Sequence, residues 1–166
     1  MAEMQVSFNV TLPTGPLLEP DEAMTIIRRE VGTGLTAIVE DIATRARANT
    51  PVDTGILRAS IATRVTPGQE AGVLVRGEVF TGAQAPYAIY VEAGTRPHWP
   101  PRAPIEAWAR RKLGDASLWF VVARAIARRG TRAHWMFRDA WQAVQETIQP
   151  RLQAAADRAA SIINRA

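Results

Sequence analysis

Apolar side chains recur along this chain with two different periods, and the changes of period divide it into elements. From Gln5 to Leu12 they alternate, with Val6, Phe8, Val10 and Leu12 on one side and Ser7, Asn9 and Thr11 on the other, which predicts a half-buried strand. Pro13, Gly15 and Pro16 end it. After Pro20 the step becomes three and four. Met24, Ile27, Val31, Leu35, Ile38, Ile42 and Ala46 predict one long amphipathic helix through Ala48, with Asp21 and Glu22 at the positive end of its dipole. Gly32 and Gly34 weaken its interior by about 1 kcal/mol each relative to alanine, so they mark close packing or a bend.

The stretch 49–61, NTPVDTGILRASI, interrupts this pattern. Pro51 disfavours helix at Thr50, and Asp53 or Thr54 can accept a backbone N–H at a new start. Gly55 permits a backbone angle that other residues resist, after which Leu57 and Ile61 can point inward and Arg58 outward. As bare spacing this is a helix-to-strand corner. Residues 60–66 and 72–80 then read as two strands joined across Pro67, Gly68 and Gln69. Val73, Val75 and Val79 fall on one face, and Leu74, Arg76, Glu78 and Phe80 on the other. With the N-terminal strand they predict a small antiparallel sheet covered by the long helix, an α+β core.

A loop of small residues, 81–86, leads to YAIYVEAGT, residues 87–95. Tyr87, Tyr90 and Val91 are spaced for a short helical turn with both rings on one side and Glu92 largely on the other, and Gly94 ends it. Residues 96–104 hold four prolines and should be irregular and stiff. A helix follows from Pro104 to Leu113, with Ile105, Trp108 and Ala109 inward and Arg110, Arg111 and Lys112 exposed. Gly114 and Asp115 break it. The next helix, 116–129, has Leu118, Val121, Val122, Ala125 and Ile126 as its apolar stripe, Arg128 and Arg129 in its last turn, and Gly130 as its stop. The final helix follows TRAHWMFR, residues 131–138, with Phe137, Trp141, Val144, Ile148, Leu152, Ala155, Ala159 and Ile162 on its stripe. Pro150 should kink or divide it. The mostly alanine stripe beyond Pro150 is thin enough to suggest packing on a neighbouring chain, or fraying. The domain organisation expected is one α+β unit over 1–149 and a helical extension over 150–166.

Composition narrows the classes. The 166 residues are 47% hydrophobic and 22% charged, which is globular. No apolar run approaches the ~20 residues of a membrane span, and no basic-then-apolar leader opens the chain, so a soluble protein made in a cytoplasm is expected. Cysteine is absent, which excludes disulfides and thiolate chemistry. The net charge of +4 is uneven, with 7 basic against 11 acidic residues over 1–95 and 13 against 5 over 96–166. Such asymmetry suggests a docking face for nucleic acid or for a neighbouring subunit.

Candidate chemistry is sparse. Asp53, Glu92, His98 and His134 could make a two-histidine, two-carboxylate metal site of a hydrolase or nuclease if the fold assembled them, but no ligand spacing enforces it. Phosphate-binding loops, nucleophile elbows and dinucleotide fingerprints are missing, so neither enzyme activity nor a cofactor is expected. From Arg96 to Arg138, ten basic residues interleave with Trp99, Trp108, Trp119 and Trp135, a composition that could hold duplex phosphates without sequence preference.

In order and spacing, PVDTGILRASI, a strand pair, YAIYVEAGT and RRGTRAHWMFRDAW resemble the tail-completion or neck family of long-tailed bacteriophages, similar to minor tail protein Z. The first family motif is matched by Pro51, Asp53, Thr54, Gly55, Leu57 and Arg58, and the second by Tyr87, Ala88, Glu92, Gly94 and Thr95, with Tyr90 between. In the third, Trp135, Met136, Phe137, Arg138, Asp139 and Ala140 keep the aromatic, the arginine and the alanine and lack both family prolines. The resemblance implies a structural protein of the virion neck, assembled in the host cytoplasm. It would form a ring, hexameric in the family, that completes the tail and joins it to the head connector or stopper above and the tail terminator or tube below.

Passing contact with genomic DNA is the competing role, and no membrane is involved. A ring needs two different complementary faces, which the acidic first half of one subunit and the basic second half of the next could supply. Arg110, Arg111, Lys112, Arg128, Arg129, Arg132, Trp135, Phe137 and Arg138 are the expected contact residues. Arg58 is expected to pair with Glu92 or Asp53 and so to tie the corner to the Tyr87 turn.

Overall fold

Two long helices form the frame: α1, Pro20–Asn49, and α6, Met136–Ile163. The computed structural model describes residues 20–69 and 73–165, so the strand expected at 5–12 lies outside the described residues. Glu30 lies by Arg158, Gly34 by Ala155, Asp41 by Arg151 and Thr50 by Met136, so the two helices run antiparallel. Between them Ile27, Val31, Ile38 and Ile42 of α1 pack against Val144, Ile148, Leu152 and Ala159 of α6. This is the amphipathic face that the three-and-four spacing laid out.

The alanine stripe finds its partner inside the chain. Ala155, Ala156 and Ala159 are fully buried, contrary to the neighbour-or-fraying expectation. A methyl group on Gly34 would stand 2.9 Å from the Ala155 Cβ. Glycine on one helix and alanine on the other let the two backbones approach closely, and the thin face is what that approach requires. Pro150 does not divide α6, which is helical across it. Ile148 and Leu152 are buried on either side of the proline, so packing against α1 carries the helix past the missing N–H.

Strands β1, Ile61–Pro67, and β2, Val75–Thr81, pair antiparallel with Ile61 opposite Thr81 and Arg64 opposite Glu78. Among the described residues the sheet has two strands. It lies on α1: Ile61, Val75 and Val79 join the main core, and Arg47 Nη2 donates to the Ile61 carbonyl at 2.9 Å. Leu74, expected on the face opposite the valines, also packs on this core. The strand begins at Val75, so its alternation does not reach back to Leu74.

The remaining elements are short: α2, Ile56–Ser60; α3, Ala88–Ala93; α4, Arg102–Leu113; and α5, Trp119–Arg129, preceded by a 3₁₀ turn at Ala116–Leu118. The α5 stripe is rotated from its expected orientation. Ala123 is fully buried, whereas Leu118 and Val121 are exposed and Val122, Ala125 and Ile126 line an open groove with Arg129 and Arg132.

Candidate functional site

The three sequence motifs converge on one small second core. Leu57 of the corner, Ala85 and Ala88 before and in α3, and Met136 at the start of α6 are buried together, with Val91 and Phe137 packed against them. Phe137, expected at a partner contact, is half-buried and packs against this core. Thr50, 2% exposed at the end of α1, donates from Oγ1 to the Ala46 carbonyl and lies 3.3 Å from the Met136 Sδ. Gly55 has a left-handed φ of +83° at the start of α2, and its carbonyl accepts from the Ala59 N–H.

Glu92 is the pivot of this joint. Its Oε2 and Oε1 accept the backbone N–H groups of Phe137 and Arg138, each at 3.0 Å. A carboxylate from α3 therefore caps the first turn of α6, satisfying two donors that no helix can satisfy itself and placing negative charge at its positive end. The backbone adds His134 N–H to the Val91 carbonyl and Trp135 N–H to the Glu92 carbonyl. Trp135 is held at φ +50°, a left-handed position unusual for a non-glycine residue. That turn aims the first α6 N–H groups at Glu92, while Arg138 covers the indole at 4.0 Å from its ring centre.

Arg58 does not make the expected ionic link. Its Nη2 donates to the Thr50 carbonyl at 3.1 Å, whereas Glu92 is engaged by α6 and Asp53 by Arg111. Arg58 thus ties the end of α1 to α2 through a backbone acceptor that a sequence does not advertise. Asp53 takes two bonds from Arg111, Nε to Oδ1 at 3.1 Å and Nη2 to Oδ2 at 2.5 Å, and Lys112 Nζ donates to the Val52 carbonyl at 2.8 Å. The Arg111 hydrogen bond, reinforced by the charges of Arg111 and Lys112, holds the Asp53 carboxyl below the usual carboxylate range. Arg111 and Lys112, expected at a partner surface, are used within the chain to clamp α4 to the corner.

Residues 96–130 form a two-helix insertion with a closed neck. Thr95 and Thr131 exchange N–H···O=C bonds at 3.2 Å both ways, and their hydroxyls lie 3.0 Å apart. Gly94 and Gly130 flank this bridge with φ of +72° and +70°. A side chain at either would collide with backbone, 2.5 Å from the Thr131 oxygen or 1.9 Å from the Thr95 oxygen. The Glu-x-Gly-Thr sequence at 92–95 is therefore a cap, a tight approach and a neck in succession.

Tyr87 and Tyr90, spaced as for a core turn, are exposed, while Ala88 and Val91 supply the buried side of α3. Val52, Ile56 and Ile89 are exposed near the same joint. On the insertion, Trp99, Leu118, Phe120 and Val121 are exposed. Arg110 reaches Glu106 at 4.0 Å, and Arg128, Arg129 and Arg132 are exposed without an ion pair among the described residues.

The four candidate metal ligands are not assembled. Asp53 and Glu92 are occupied as described, His98 Nδ1 lies 2.9 Å from the Arg96 carbonyl, and among the described residues no three His, Asp or Glu side chains are grouped to hold an ion.

Comparison with known families agrees with the motifs. The family model described as "HK97-gp10_like: Bacteriophage HK97-gp10, putative tail-component" matches residues 21–94. Residues 21–94 are thus similar to a phage tail-component family. The match runs from α1 through the corner, the sheet and α3, and stops at Gly94, one residue before the neck. No curated protein and no solved structure matches the chain significantly. Among the described residues no helix is long and apolar enough to cross a membrane.

Proposed function

We propose that this phage tail component is a tail-completion protein, which forms a ring at the head-proximal end of the tail and joins it to the head connector. The observation that carries this reading is the joint itself. In a chain whose first half matches a tail family, the motif residues Asp53, Gly55, Leu57, Arg58, Glu92, Gly94 and Thr95 hold helices, corner and insertion in fixed relation. Such motifs serve shape and contact, with no reaction assigned to them. The ring copies would bind one another, the connector or stopper above and the terminator or tube below. The test is a phage lacking this gene: filled heads and free tails of normal length should accumulate, and supplying the protein should restore joining. Normally joined particles without it would overturn the reading.

A second reading is favoured by one observation. Arg96, Arg124, Arg128, Arg129 and Arg132 are exposed and without ion pairs among the described residues, and such a set could face DNA passing through a neck channel. Duplex titration at low salt tests it, because phosphate contacts must weaken steeply as salt rises.

A further inference from the structure

Residues 96–130 stand apart from the rest of the fold. Helices α4 and α5 pack on each other and on the 3₁₀ turn between them, and neither lies along α1, α6 or the sheet. Within this unit Ala109 and Ala123 are fully buried, Arg102 stacks on Trp119 at 4.8 Å, and Trp99 and Trp119 meet Phe120 edge-on with ring centroids 5.8 and 5.7 Å away. The insertion therefore has internal packing of its own, and no residue of it belongs to either buried cluster of the body. Beside the neck, Val122, Ala125 and Ile126 line an open groove with Arg129 and Arg132, so space adjoins the point of attachment.

Two kinds of contact hold this unit in place, and they resist different motions. The neck is one reciprocal pair of backbone bonds between Thr95 and Thr131, flanked by Gly94 at φ +72°, ψ −174° and Gly130 at φ +70°, ψ −161°. A connection two backbones wide, with no side chain at the flanking positions to brace it, resists separation better than it resists rotation. Rotation is opposed instead at the far end of α4, where Arg111 binds Asp53 and Lys112 binds the Val52 carbonyl. The Arg111 and Asp53 side chains are 44% and 31% exposed, so salt reaches them and their hold is that of a surface ion pair. We propose that residues 96–130 are a latched arm, with the Thr95–Thr131 neck as its pivot and the bonds of Arg111 and Lys112 to the corner as its catch. Opening the catch lets α4 and α5 swing together, which redirects the exposed Trp99, Phe120, Val121, Arg124 and Arg128 that the arm carries. An exposed ion pair shifts such a balance by about fivefold at most, so the catch sets a ratio of two positions and does not lock one. The inference concerns a single copy and stands apart from the self-association proposed above.

The experiment measures distances by double electron–electron resonance in the full-length protein. The chain has no cysteine, so two introduced cysteines take spin labels without background. Ala143→Cys on α6 with Arg124→Cys on α5 reports the arm against the body, and Ala103→Cys with Arg124→Cys reports the arm internally; all three positions are exposed. Each pair is measured alone and with Asp53→Asn, with Arg111→Gln or with the control Arg110→Gln, which removes the same charge from α4 but at a residue that reaches Glu106 within the arm. Circular dichroism verifies folding. In both catch variants the population at a second arm-to-body distance should rise about threefold to fivefold, while the control matches the unaltered chain and the internal distance stays constant. Raising salt should move the unaltered chain toward the catch variants and leave Asp53→Asn as it is. Identical arm-to-body distributions in the unaltered chain and both folded catch variants overturn the proposal, since the neck alone then fixes the arm. An equal shift in Arg110→Gln overturns the catch, because net charge then accounts for the change. A change in the internal distance overturns the arm, because the insertion then comes apart instead of swinging.

Discussion

Glu92 replaces, with one carboxylate, two hydrogen bonds that the start of α6 cannot make for itself. Its removal has a specific signature. Glu92→Ala should destabilise the protein by about 0.5–2 kcal/mol, the range for losing a helix cap, and Glu92→Gln should recover about half, since the amide offers one acceptor oxygen where the carboxylate offers two. Urea midpoints of the three proteins check this. Asp53 gives a pH-dependent counterpart. Its folded carboxyl is held below the ordinary value by Arg111, so the unfolded chain takes up the proton first as pH falls. The stabilisation is complete above the unfolded value of about 3.9 and is lost as pH drops through the folded one. Asp53→Asn should therefore flatten the acid limb of urea midpoint against pH and leave its shape near neutrality unchanged. Equal acid limbs in both proteins would remove the Asp53–Arg111 clamp from the account.

Among elements, the α1–α6 pair dominates, and the contact of Gly34 with Ala155 is a tight place in it. Ala155→Leu forces three more carbons into the gap beside Gly34 and should cost about 1–3 kcal/mol, read as a lowered thermal midpoint. The long helices and the hairpin were legible in the sequence because a single period governs each of them; the α3 turn was placed, but its buried side is Ala88 and Val91 and not the tyrosines. Where two faces of an element are both apolar, period alone could not choose. On α5, Val121 and Phe120 compete with Val122 and Ile126, and packing of Ala123 inward decides the matter. The alanine stripe looked weak because its worth depends on a glycine more than a hundred residues away. At the joint, the motif positions were visible but two of their partners were not. Arg58 ends on a carbonyl, and Glu92 on backbone N–H groups; neither acceptor nor donor has a residue type to search for.

For the molecule as a whole, the two buried clusters describe a body whose cores close without residues 96–130. Thr95 and Thr131 already face each other as they would across a short turn, each accepting from and donating to the other. Any segment spliced between them enters and leaves through one point, so its length and content can change without shifting the register of sheet or helices. The Arg111 and Lys112 bonds to the corner then set the angle at which that segment is carried. In mechanical terms the protein is a handle with an exchangeable bit. The bit, basic with an aromatic edge, can vary in length and content while the handle keeps its shape.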